Sequence, residues 1–85
     1  MTLYYFHFQN GSRMILDAEG MDLPSRADAL ERATHLATDL LRDGDIVCDW
    51  RRSAIRVEDQ NHCRVLRVPM ASVQARASRQ RLRAQ

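Results

Sequence analysis

Eighty-five residues leave room for one domain, and a chain of that size buries only about 60% of the surface that its unfolded form exposes. Apolar residues make up 45% of the chain and charged residues 28%, and no apolar run is long enough to span a bilayer, so a soluble globular domain is expected and a membrane-spanning segment is not. All thirteen basic residues are Arg, and Arg76, Arg79, Arg81 and Arg83 lie within the last ten positions; residues 1–75 therefore carry a net charge of −2 and the tail is basic.

The first residues, MTLYYFHF, have no positive leader ahead of an apolar stretch and no small-residue cleavage site, which leads us to expect a cytoplasmic protein. Cys48 and Cys63 are too few and too scattered for a disulfide framework, and no disulfide is expected.

Leu3 to Phe8 is dense in aromatic residues and runs into Asn10-Gly11, a strong turn signal, after which Arg13 to Leu16 alternates polar and apolar. This reads as a β-hairpin. A three-residue loop of Asn10, Gly11 and Ser12 would set Phe8 opposite Met14 and Phe6 opposite Leu16, gathering four large apolar groups on one side and sending Tyr5, His7 and Ile15 to the other. Asp17 to Pro24 reads as a connector in which Gly20 takes a positive φ and Leu23 packs ahead of a helix.

The helix itself is the best-marked segment. Ser25 is a good N-cap with Asp28 three residues on, and Gly44 suits the left-handed stop. Between them Ala27, Leu30, Ala33, Ala37, Leu40 and Leu41 recur at spacings of three and four, with Asp28, Glu31, Arg32, His35, Asp39 and Arg42 on the opposite arc; Asp28 and Arg32 are spaced for a weak ion pair. Ile46 and Trp50 are expected to pack on an irregular lead-in to the next strand. Ser53 to Glu58 and Arg64 to Val68 then form a second hairpin, in which Ile55 opposite Val68 and Val57 opposite Leu66 collect the apolar side chains on one face and leave Arg52, Arg56 and Arg67 on the other. Pro69 ends the last strand or marks it as an edge, and Met70 could close the bottom of the core. The expected fold is α+β, in ββαββ order: a four-stranded mainly antiparallel sheet with one long helix packed on one face, occupying residues 1–70, followed by an Arg-rich tail over 71–85 that is partly helical or disordered.

Three stretches, LYYFHFQNG, DAEGMDLPSRADAL and VEDQNHCRVLRVPM, resemble signature blocks of a family of small bacterial domains of unknown function, about eighty residues long. Its features are a Tyr- and Phe-rich first strand ending in His, an Asp-x-x-Gly-x-x-Leu-Pro connector matched here by Asp17, Gly20, Leu23 and Pro24, and a closing hairpin that often reads Asp-x-x-Gly. This chain has Asn61 or His62 where that last Gly falls, and Val68-Pro69-Met70 in place of Leu-Pro-Phe. The resemblance spans roughly residues 3 to 70 and implies architecture only, with no activity, cofactor or catalytic residue to carry over.

The chemistry-bearing residues fall into no recognisable catalytic or metal-binding pattern. His62-Cys63, Cys48 and His7 lack the paired short spacing of a zinc site. Adjacent residues of a strand point to opposite faces, so His62 and Cys63 make a poor dyad. Asp17, Glu19 and Asp22 are too sparse in oxygens for a Ca²⁺ loop. No catalytic residue, metal or cofactor is expected. The surface to suspect is the sheet face that the helix leaves open, expected to carry Tyr5, His7, Ile15, Arg52, Arg56, Val65 and Arg67. A half-apolar open sheet gains by being covered, so the expected function is a non-enzymatic protein-interaction domain, self-associating as a homodimer or docking on another protein. The alternative is an accessory nucleic-acid-binding protein that stacks bases and contacts phosphates on that face and through Arg76, Arg79, Arg81 and Arg83.

Overall fold

Ser25 starts the one long helix as its sequence demands: its hydroxyl accepts the Asp28 backbone N–H at 3.3 Å and donates to the Asp28 carboxylate at 2.6 Å. Asp28 is thereby held at the first turn instead of pairing with Arg32. The computed structural model describes residues 1–43 and 49–74. The expected helix stop at Gly44, the packing of Ile46 and of the Trp50 side chain, Cys48, and the tail arginines Arg76, Arg79, Arg81 and Arg83 lie outside the described residues.

Five strands and this helix make up the described fold: β1 (Thr2–Asn10), β2 (Arg13–Ile15), β3 (Met21–Leu23), α1 (Arg26–Asp43), β4 (Ser53–Asp59) and β5 (Arg64–Pro69), with a 3-10 turn at Trp50–Arg52. The sheet runs β2-β1-β4-β5, every pairing is antiparallel, and β3 pairs with the N-terminal part of β1. The α+β fold with one helix on one face is as expected. The addition is β3, a three-residue strand inside the stretch read as a connector.

β1 is long enough to serve two short partners on one edge. Phe8, Gln9 and Asn10 pair with β2, Thr2, Leu3 and Tyr4 pair with β3, and the chain between them, 16–20, leaves that edge and returns. The Phe6 N–H in the gap has no strand opposite it. Asp17 supplies the missing acceptor at 3.1 Å, so a side chain completes the ladder.

Side-chain parity along β1 places Tyr4, Phe6 and Phe8 on the helix side and Leu3, Tyr5, His7 and Gln9 on the open side. The β1–β4 register puts Val57 opposite Phe6 and Ile55 opposite Phe8, and the β4–β5 register puts Val68 opposite Ile55 and Leu66 opposite Val57, as the alternation of the second hairpin required. Onto these the helix lays Ala29, Ala33 and Ala37, all fully buried, with Leu40 and Leu41 packed at the edge of the core. A stripe of Ala brings a helix close to a sheet at little entropic cost. Residues 70–74 are helical and return Met70 and Val73 to the same core.

Two expectations are corrected here. The buried arc of α1 is centred on Ala29, Ala33 and Ala37; Ala27 is exposed and Leu30 is 50% exposed. In a helix so rich in Ala, neighbouring arcs are nearly equally apolar, and the sheet selects one. The first hairpin also turns through two residues, Gly11 and Ser12, with Asn10 opposite Arg13, Gln9 opposite Met14 and Phe8 opposite Ile15. Gly11 has φ +63 at the first turn position, the arrangement of a type II′ turn, and its N–H donates to the Arg52 carbonyl at 3.0 Å. A one-residue change of register reverses the parity of β2. Ile15 therefore stands on the helix side, not on the open face.

Candidate interaction surfaces

The open face is organised around His7. Although it lies on the side without the helix, His7 is 7% exposed, and both ring nitrogens are engaged. The Asp17 backbone N–H donates to Nδ1 at 3.0 Å, and Nε2 lies 3.0 Å from Glu58 Oε1. A backbone N–H can only donate, so Nδ1 is the acceptor and the ring proton sits on Nε2, from which it is donated to Glu58. The ring is a strut between β1, the Asp17 loop and β4.

Asp17 holds the other end. Its Oδ2 accepts from Phe6 N–H, while Oδ1 accepts from Glu19 N–H at 3.1 Å and Gly20 N–H at 3.2 Å. Burial pushes the Asp17 carboxyl up, but these three backbone donors outweigh it and hold the group below the usual carboxylate range. Gly20 closes the loop at φ +72; a Cβ there would meet the Tyr4 carbonyl oxygen and Leu3 Cδ1 at 3.0 Å and Tyr5 Cε1 at 3.1 Å. Glycine is favoured there both by conformation and by space. The same device recurs in the second hairpin, where Asp59 Oδ1 accepts from Asn61 N–H at 2.8 Å and Cys63 N–H at 3.0 Å, and the residue three after the Asp again has positive φ. There it is His62, at φ +62.

The rest of the face closes on itself. The rings of Tyr5 and His7 are parallel with centroids 6.3 Å apart, and His62 lies on the far side of Tyr5 at 6.0 Å. Arg56, the cross-strand neighbour of His7, has its Nη2 3.9 Å from Glu58 Oε2, and its Nε is buried without a hydrogen-bond partner, so the guanidinium lies along the sheet. Arg67, opposite Arg56, is exposed.

Register thus brings Tyr5, His7, Arg56 and Arg67 together on the open face, and three other residues expected there stand elsewhere. Ile15 is on the helix side. Val65 is the extra residue of a bulge between β5 and the Val57–Glu58 step of β4, and it packs against the core, while its carbonyl accepts from the Arg26 guanidinium at 2.8 Å. Arg52 ends the 3-10 turn, where its carbonyl serves the first hairpin. Asp17 and Glu58 were missed, although the Asp-x-x-Gly pattern already marked the first as a turn-forming carboxylate.

A different surface lies on the helix side. α1 packs on β4, β5 and β3, and the outer half of the sheet beside it is left as a groove of about 360 Å³. Phe6, Phe8 and Leu36 line it together with Ile15, Leu16 and Met21, which are 59%, 70% and 37% exposed. Glu19 borders it from the loop and Arg32 from the helix.

Among the described residues no group of three His, Cys, Asp or Glu side chains is placed to hold a metal ion, and no helix is long and apolar enough to cross a membrane. Cys63 is an exposed free thiol. No curated protein and no solved structure matches this chain. Residues 3–71 match the family model of the domain of unknown function DUF6894, and the chain belongs to that family, a small domain of unknown function as the resemblance implied.

Proposed function

We propose that this domain is a non-enzymatic protein-docking module whose contact surface is the groove between α1 and the β1–β2 edge. The observation that carries this reading is the cluster of Ile15, Leu16 and Met21, exposed around a floor of Phe6, Phe8 and Leu36. An isolated exposed Leu needs no explanation, whereas several around one concavity expose apolar area that burial against a partner would stabilise at about 25 cal/mol per Å². The open face supports the reading by contrast, since His7, Asp17 and Glu58 are already engaged with one another.

Site-specific photocrosslinking tests it. A photoreactive phenylalanine analogue in place of Leu16 is expected to give a discrete covalent protein adduct in the native host, and the same group in place of Arg67 on the open face is not. Absence of an adduct from position 16, or equal yields from both positions, would overturn the proposal.

The second reading is nucleic-acid binding, supported by the stacked rings of Tyr5 and His62 beside the exposed Arg64 and Arg67. Glu58 at the centre of that face opposes it by repelling phosphate. Binding of single-stranded DNA and RNA at two salt concentrations decides: this reading requires salt-sensitive binding that weakens in an R64Q/R67Q variant, and no binding at low salt would end it.

A further inference from the structure

We infer that the occupant of the groove is a second copy of this chain, docked about a two-fold axis. The inference rests on the docking role proposed above and adds the identity of the partner.

Three features point to self-pairing. First, the patch contains both halves of a fit: Ile15 and Leu16 project from it, and the cleft floored by Phe6, Phe8 and Leu36 adjoins them. In a two-fold contact one patch meets itself, so a projection and a cleft side by side on one protomer become two equivalent insertions in the pair. Second, its borders carry opposite charges, Arg32 on the helix and Glu19 on the loop beside an Asp17 carboxylate already held by three backbone N–H groups, and among the described residues neither Glu19 nor Arg32 forms an ion pair within 4.0 Å in its own protomer. A two-fold axis through the groove sets the Glu19 border of each protomer against the Arg32 border of the other. An unrelated partner would have no need for both signs to be present. Third, the competing mode of self-association, edge-to-edge strand pairing, is blocked on this side. β2 and β3 are three residues each, the chain leaves the edge between them, and the Phe6 N–H exposed in the gap is already taken by Asp17. On this side of the sheet a contact is therefore made through the face and not through the edge.

The test uses the full chain in sedimentation equilibrium and light scattering from low to high micromolar concentration, with circular dichroism to show that each variant is folded. A reversible dimer is expected. Leu16→Asp should abolish it with the fold retained. Glu19→Arg and Arg32→Glu should each weaken it, by roughly fivefold to tenfold in Kd, as loss of border ion pairs of about 1 kcal/mol implies. The double variant E19R/R32E restores the charge match across the axis and should return Kd to within about threefold of the original, a recovery that mere damage to the fold could not produce. A monomer at every concentration overturns the inference, as does a dimer indifferent to Leu16→Asp or to the charge exchange. The crosslink from position 16 separates this inference from the docking role: an adduct with a different protein retains the groove as a docking site and refutes self-pairing, and no adduct refutes both.

Discussion

The two faces of this sheet solve opposite problems. On the side that the helix leaves open, the polar groups have been turned inward upon one another: His7 bridges Asp17 and Glu58, Glu58 also faces Arg56, and Asp17 takes three backbone N–H groups. On the side that the helix covers, coverage stops short, and Ile15, Leu16 and Met21 remain in water. Lack of a helix is thus no guide to where a sheet is available for contact. A face without a helix can be sealed by a few side chains, and a face with one can stay open where the helix ends its reach.

On the proposed reading the open face is structural and the groove is the contact surface, and substitutions should sort accordingly. The largest loss is expected from Asp17→Ala, which strips Phe6, Glu19 and Gly20 of their acceptor; with the discount due to a partly exposed carboxylate, about 3 kcal/mol should vanish in chemical denaturation. Acid should act through the same group. Because folding holds the Asp17 carboxyl below its ordinary value, its contribution is complete above that value, near pH 4, and declines as pH falls through it and then through the lower folded value. Asp17→Asn should accordingly flatten the dependence of stability on pH below about 4, and an unchanged slope would remove Asp17 from this role.

Gly20→Ala comes next, at about 2 kcal/mol, since the new Cβ would need a left-handed backbone and would press on the Tyr4 carbonyl. His62→Gly probes the twin turn and should change stability by less than about 1 kcal/mol, because relief of the left-handed strain is offset by a freer unfolded chain and by lost contact with Tyr5. If the two exchanges had equal magnitudes, the equivalence of the turns would be deeper than their surroundings indicate. Leu16→Ser sits at the bottom of the scale, within about 0.5 kcal/mol, as an exposed side chain should.

Much of this architecture is legible in the residues. Ser25 and Asp28 mark the helix start by side-chain chemistry confined to one turn, and Ile55, Val57, Leu66 and Val68 share one parity, so pairing them across the hairpin gathers them on one face. Asn10-Gly11 is less informative. It locates a turn but admits two parities, and collecting Met14 and Leu16 with Phe6 and Phe8 selects the wrong one; Gly11–Ser12 at the turn sets Ile15 over Phe8 instead. That single slip hides the groove, since it assigns Ile15, one of its exposed apolar residues, to the other face. The His7 cluster is hidden for another reason. Its bonds join residues 10, 11 and 51 positions apart, and no local spacing reports them.

The measurement that tests the division of labour most directly is a dilution series of amide and methyl NMR spectra of the full chain. Shifts that depend on concentration are predicted at Ile15, Leu16, Met21, Arg32 and Leu36, with Tyr5, Arg56 and Arg67 unmoved. Changes centred on the open face, or none at any concentration, would contradict it.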